Sequence, residues 1–137
     1  MILWELIGRM RCILIYLDTH IVVWLYAGLL EKFSQSVKTI LNENEILISP
    51  IVRLELQYLY EIERVKKPAL VIVADLADRI GLRVCDKSFN AVISQAITMT
   101  WTRDPFDRVI VANAALNDNI LISKDQNILE HYLHTRW

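Results

Sequence analysis

Short unbroken apolar runs alternate along the chain with longer stretches in which apolar positions recur every three or four residues. Runs of the first kind read as strands buried on both faces, and stretches of the second kind as helices with one inward face. Cys12–Leu17 is of strand length and is closed by Asp18-Thr19, residue types that favour a helix N-cap. A helix over Thr19–Ala27 follows, stopped near Gly28, and Ser34–Asn42 predicts a second with Val37, Ile40 and Leu41 inward. Ile46–Ser49 is the next strand, and Pro50 suits the first position of a helix that the pattern carries to about Lys66. Pro68–Ile80 predicts a helix halted by Gly81, Leu82–Cys85 a short strand and Ser88–Met99 another helix. Asp104-Pro105 opens a helix through Leu116, Ile120–Ser123 is a further strand, and Asp125 stands where it would cap one more helix. The tail His134–Trp137 suits an edge strand.

Apolar strands alternating with helices imply a three-layer α/β/α sandwich: a central, mainly parallel sheet of four to five strands joined by right-handed crossovers. At 137 residues, 54% apolar and 23% charged, with 3 Gly and 3 Pro, the chain is expected to form one globular domain. That domain is expected over residues 12–137, behind an N-terminal extension, residues 1–11, of open role. The extension is apolar, but Glu5, Arg9 and Arg11 interrupt it in a way unlike a signal peptide. No run approaches the roughly 18 apolar residues of a membrane span, so no membrane association is expected. Cys12 and Cys85 lack metal-ligand spacing and read as free thiols of a reduced, cytoplasmic protein.

With Lys+Arg 15 against Asp+Glu 16, net charge supplies no general attraction to nucleic acid, so any such case must be local. A glycine-rich phosphate loop is missing, which argues against nucleoside triphosphate hydrolysis, and His131 and His134 lack zinc-ligand spacing. The acidic residues are more informative. In an open parallel sheet, ligands bind beyond the carboxyl ends of the strands. Asp18 follows the first strand directly, Asp125 follows Ile120–Ser123 by two residues, and Glu55 lies on the helix leaving Ile46–Ser49. Helical spacing puts Glu55 on one face with Ile51, Tyr58, Leu59 and Ile62, and Asp107 on one face with Ile110, Val111 and Ala114. Carboxylates turned toward a core need a partner or a cation.

Asp18, Glu55, Asp107 and Asp125 gathered at one rim would repel one another unless a hard cation compensated them. Magnesium prefers such oxygen ligands and commonly bridges carboxylates to phosphate oxygens, where a metal-activated water can displace a phosphodiester in line. Arg53, Arg103, Arg108 and Lys124 lie near these acids in sequence and are candidates to contact the phosphates of RNA. Trp101 could stack on a base or simply pack. Other roles remain open for several positions. Asp18, Asp104 and Asp125 each precede a helix and suit N-caps, and for Asp104 both cap and metal ligand stand. His20 reads as a packed or capping histidine ahead of a general base, and Thr19, Ser49 and Ser123 as capping or strand-end hydroxyls ahead of ligand-orienting ones.

Four blocks, Tyr16-Leu17-Asp18-Thr19-His20, Ser49-Pro50-Ile51-Val52-Arg53-Leu54-Glu55, Arg103-Asp104-Pro105-Phe106-Asp107-Arg108 and Ile122-Ser123-Lys124-Asp125, occur in that order. Together they resemble the PIN domain family, and the Arg-Asp-Pro-Phe-Asp-Arg block is similar to that of VapC-type toxins of bacterial toxin–antitoxin pairs. The resemblance covers roughly residues 12–137. It implies a magnesium- or manganese-dependent endoribonuclease, a homodimer, and inhibition by a small antitoxin encoded alongside. Asp18, Glu55, Asp107 and Asp125 match the family's acidic positions, and Asp104 matches an additional acid of the subgroup. Retention of every acid favours an active enzyme over a catalytically inactive PIN-like interaction module. A phosphoacceptor signalling domain is a further alternative, since Asp18 and Lys124 each follow a strand. That reading requires a neighbouring acid pair, and Asp18 is flanked by Leu17 and Thr19.

Overall fold

The computed structural model describes residues 13–137. Cys12 and the extension, residues 1–11, lie outside the described residues. The first strand, β1 (Leu14–Leu17), leads into α1 (Thr19–Ala27), which ends at Gly28 in the left-handed conformation, φ 72°. A 3-10 turn over Leu30–Lys32, not expected from the pattern, precedes α2 (Gln35–Glu43), whose Ser34 cap accepts the Val37 N–H. Then come β2 (Glu45–Ile48), α3 (Pro50–Glu61), α4 (Ala69–Ile80), the two-residue β3 (Arg83–Val84) and α5 (Phe89–Ile97). The chain finishes with α6 (Pro105–Ala115), β4 (Ile120–Ile122), α7 (Gln126–His131) and β5 (Thr135–Arg136).

All five described strands are parallel, in the order β3-β2-β1-β4-β5. Ile15 pairs with Ile46 on one side and Ile120 on the other, so β1 is the central strand. Ile15, Tyr16, Leu17, Ile48, Leu121 and Ile122 are all fully buried, as strands covered on both faces must be. On the faces, α1, α3 and α4 pack on one another and α5 packs on α6. This is the expected three-layer α/β/α sandwich with a parallel sheet of five strands. No helix among the described residues is long and apolar enough to cross a membrane.

The elements differ from expectation mainly at their ends. The helix expected to reach Lys66 stops at Glu61, because Glu63 turns left-handed (φ 64°) and the Arg64 N–H closes the end on the Leu59 carbonyl at 2.8 Å. A non-glycine residue in that conformation leaves no signal in the sequence. The strand expected over Leu82–Cys85 shortens because the Leu82 N–H completes the cap of α4 on Leu76, at 3.3 Å, although Cys85 still donates to Ile48 at 2.8 Å. The helix expected over Ser88–Met99 ends at Ile97, where Thr98 Oγ1 donates to the Gln95 carbonyl at 2.6 Å.

The order of strands also bears on the alternatives. A receiver-type phosphoacceptor sheet runs 2-1-3-4-5, with the third strand on the far side of the first. Here β3 lies outside β2, which sets the phosphoacceptor reading aside.

Candidate active site

The chain winds from β1 outward through β2 to β3, then returns to the other side of β1 for β4 and β5. The direction therefore reverses between β1 and β4, and a crevice opens beyond their carboxyl ends. Asp18 sits in that crevice. Its N–H donates to the Ile122 carbonyl at 3.0 Å, so the β1–β4 pairing runs into the site itself. Asp18 Oδ1 accepts the Thr19 N–H at 2.8 Å and Oδ2 accepts the Ser123 hydroxyl at 2.7 Å, which fixes both carboxylate oxygens. Burial raises the Asp18 pKa, against the pull of Ser123, Thr19 and His20, and Asp125 adds repulsion.

The Thr19 hydroxyl, one residue on, donates to Glu55 Oε1 and so ties α1 to α3. Glu55 is half-buried; desolvation raises its pKa first, the Thr19 bond lowers it, and Asp18 and Asp104 raise it further. The neighbours expected to share its inward face only partly do so. Val52 and Leu56 form the buried stripe of α3, whereas Tyr58 is 50% and Ile62 43% exposed. Glu55 thus stands at the margin of the core. Asp107 fits its expectation more closely, since Ile110, Val111 and Ala114 below it are fully buried. Burial first, then repulsion by Asp104, Asp18, Asp125 and Glu55, pushes Asp107 up to about 7.

Asp104 and Asp125 are helix caps, as Asp18 is. Asp104 Oδ1 accepts the Phe106 and Asp107 N–H groups at 2.8 and 3.3 Å, and Asp125 Oδ1 accepts the Ile128 N–H at 3.0 Å. Capping occupies one oxygen of each, and the second remains available for a ligand. The cap and site readings are therefore compatible at these positions. All five carboxylates line one cavity of about 370 Å³, together with His20, Trp24 and Lys124. Three helix N-termini, those of α1, α6 and α7, open onto it and favour negative charge there.

No three acidic, histidine or cysteine side chains among the described residues stand close enough together to form a ready-made metal cluster. The donor set nevertheless suits a hard cation, being all carboxylate oxygen, with Asp18, Glu55 and Asp107 raised in pKa first by burial and further by repulsion from neighbouring acids. A cation at the centre of this cavity would relieve that repulsion, with Asp18, Glu55, Asp104, Asp107 and Asp125 as the residues placed to hold it.

Of the four basic residues expected near the acids, only Lys124 lines the cavity. Arg53 is exposed and borders an apolar groove between α3 and α4, while Arg103 and Arg108 donate to the Thr100 and Thr102 carbonyls at 2.9 and 2.8 Å. Trp101 stacks on His131 with ring centroids 5.0 Å apart and does not border the acids. Trp24 does, and its place was not legible in an apolar helix. Nor was the buried polar network behind the site. Ser49 Oγ donates to Asn113 Oδ1 at 2.8 Å, and Asn113 Nδ2 and the Tyr16 hydroxyl both donate to the Cys85 thiol at 3.0 Å. Lys87 Nζ, its pKa lowered by burial, donates to the Asn113 carbonyl at 2.6 Å and to Asn119 Oδ1 at 2.8 Å. This network joins β1, the start of α3 and the segment after β3 to α6, and so sets the position of the helix that carries Asp107.

Comparison with known proteins gives one coherent picture of the fold. A family model for the PIN domain matches residues 15–132. Among solved structures, VapBC2 from Rickettsia felis bound to a promoter DNA fragment is similar at 20% identity and TM-score 0.66, covering 90% of this chain and 97% of that one. A toxin–antitoxin complex from Klebsiella pneumoniae is similar at 16% identity and TM-score 0.60, covering 89% and 95%. DNA-bound VapBC from Salmonella typhimurium is similar at 18% identity and TM-score 0.58, covering 90% and 96%. No curated protein matches the chain.

Proposed function

The chain belongs to the PIN domain family, and from that premise we propose that it is a magnesium-dependent endoribonuclease, the toxin of a toxin–antitoxin pair. The observation that carries this reading is the meeting of five carboxylates in one cavity, where burial first, and then repulsion by the other acids, pushes Asp107 up to about 7. Such an arrangement is costly on its own and is relieved by a divalent cation. Magnesium, or manganese in its place, would when bound activate a water and stabilise charge on the phosphodiester oxygens.

The chain's own residues have distinct parts in this reading. Asp18, fixed through both oxygens by Thr19 and Ser123, and Asp107, aimed from α6, are the principal cation ligands. Glu55, oriented by the Thr19 hydroxyl, and Asp125, held as the cap of α7, complete the acidic set. Asp104 adds a fifth acid at the mouth. Lys124 contacts a phosphate at the rim, and Arg103 and Arg108, on the entry to α6, contact the strand farther out.

An antitoxin partner is supported by the likeness to VapBC and toxin–antitoxin complexes, and a second copy of the chain by the family resemblance. An arginine of the antitoxin entering the cavity would neutralise the acids with strong charge-assisted hydrogen bonds. The test is to incubate purified protein with structured and single-stranded RNA, with magnesium or with chelator. Magnesium-dependent cleavage by the wild type and its loss in a folded Asp18→Asn variant are expected. Equal cleavage by both proteins, or none with any divalent metal, would sink the reading.

A further inference from the structure

Beside the acids, the cavity has an aromatic wall to which the cleavage reading assigns no part. Trp24 on α1 forms it, beside His20 and Lys124. The indole is only half-buried, yet it is held from behind: Phe33, 5% exposed, lies 6.2 Å from it and Trp137 lies 5.7 Å from it, centroid to centroid. Phe33 and Trp137 also contact each other at 5.7 Å, so three rings brace one another. Two ammonium groups attend the indole, Lys32 at 5.1 Å and Lys124 at 5.9 Å from its centroid. Neither lysine forms an ion pair with a carboxylate among the described residues.

Trp24 packs partly against the core, and its remaining surface lines the acidic cavity, where the two flexible lysines place their ammonium groups over the ring. A π-face and positive charge side by side is what an unpaired nucleotide requires, the base stacking on the ring and the phosphate meeting the ammonium. A base held in a duplex cannot lie on an indole in this way, whereas a splayed single-stranded one can.

We propose that Trp24, flanked by Lys124 and Lys32, is the stacking subsite for a nucleobase next to the scissile phosphate of a single-stranded RNA. The inference rests on the nuclease reading above, with the phosphate at the acids and the neighbouring base on Trp24 in the same cavity. Trp24 is a binding residue here and takes no part in proton transfer or cation holding. Its loss therefore acts on KM and leaves kcat nearly unchanged. Stacking of one base is worth roughly a tenfold change in affinity.

The experiment compares cleavage of an RNA oligonucleotide cut at a mapped position with that of two versions carrying an abasic nucleotide on either side of the cut. For the wild type, one abasic position is expected to raise KM about tenfold with kcat nearly constant. Trp24→Ala is expected to raise KM on the intact oligonucleotide by about as much, Trp24→Phe much less, and Trp24→Ala to show no further loss on the abasic substrate. The abasic arm uses unaltered protein, so it stands even where Trp24→Ala weakens the ring cluster. A wild-type KM indifferent to both abasic positions, or independent losses from Trp24→Ala and the abasic site, would overturn this subsite alone. Failure of the wild type to cut any RNA would overturn it together with the nuclease reading.

Discussion

Replacing Asp107 by Asn removes one charge from the acidic cavity while keeping shape and size. In the folded chain this carboxyl titrates at about 7, against 3.8 for the ordinary side chain. An acid whose folded pKa is raised binds its proton more tightly in the folded state, so it weakens folding wherever it must ionise. Below about pH 4 it is protonated in both states and the penalty vanishes. The penalty grows from about pH 4 to about 7 and is complete above that. Each pKa unit corresponds to about 1.4 kcal/mol, so the upper bound is about 4 kcal/mol. Asp107 is partly exposed, and solvent screening reduces this to about 2 kcal/mol. In a domain of this size that is a rise in Tm of roughly 8 °C at pH 8 for Asp107→Asn. Thermal melts of both proteins with chelator, at pH 4, 6 and 8, read the difference. A variant no more stable than wild type at pH 8, or a gain equal at all three values, would refute the reasoning.

Three more outcomes follow from the contacts. Asp125→Asn keeps a good cap on α7 and should leave Tm nearly unchanged while abolishing RNA cleavage; Asp125→Ala should lose cleavage and also about 1 kcal/mol of stability in denaturant titrations. Ser123→Ala strips the buried Asp18 carboxylate of a donor and should destabilise the fold by about 1–3 kcal/mol. That loss should be larger at pH 8 than at pH 5, because the hydroxyl favours the charged form. Arg53→Ala, at an exposed position away from the cavity, should leave cleavage within about twofold of wild type, whereas Lys124→Ala should raise KM in the same assay.

Much of this architecture was legible because buried parallel strands and capped helices leave strong local marks. The apolar run ending in Leu17, with Asp18-Thr19 directly after it, defines both a strand end and a helix start. Gly28 and Gly81 marked their helix ends, since each adopts φ 72°. Glu63, at φ 64°, reaches the same conformation without glycine, and the end of α3 was missed there. The acids were legible because strand order sends the ends of β1 and β4 to one crevice. The basic residues were not, since nearness in sequence says little about the direction a helical side chain takes. Arg53 lies two residues before Glu55 and borders a different groove. Trp24 and the Ser49–Asn113–Cys85 network depend on contacts between elements far apart in the chain, and no local pattern reports those.

That five carboxylates work as one cation site is tested most directly by titrating manganese into chelator-stripped protein at pH 8 and measuring bound ion by calorimetry. Saturable binding to the wild type is expected, with a matching rise in Tm, and its loss is expected in Asp18→Asn and Asp107→Asn. No saturable binding to the wild type, or equal binding by all three proteins, would contradict it.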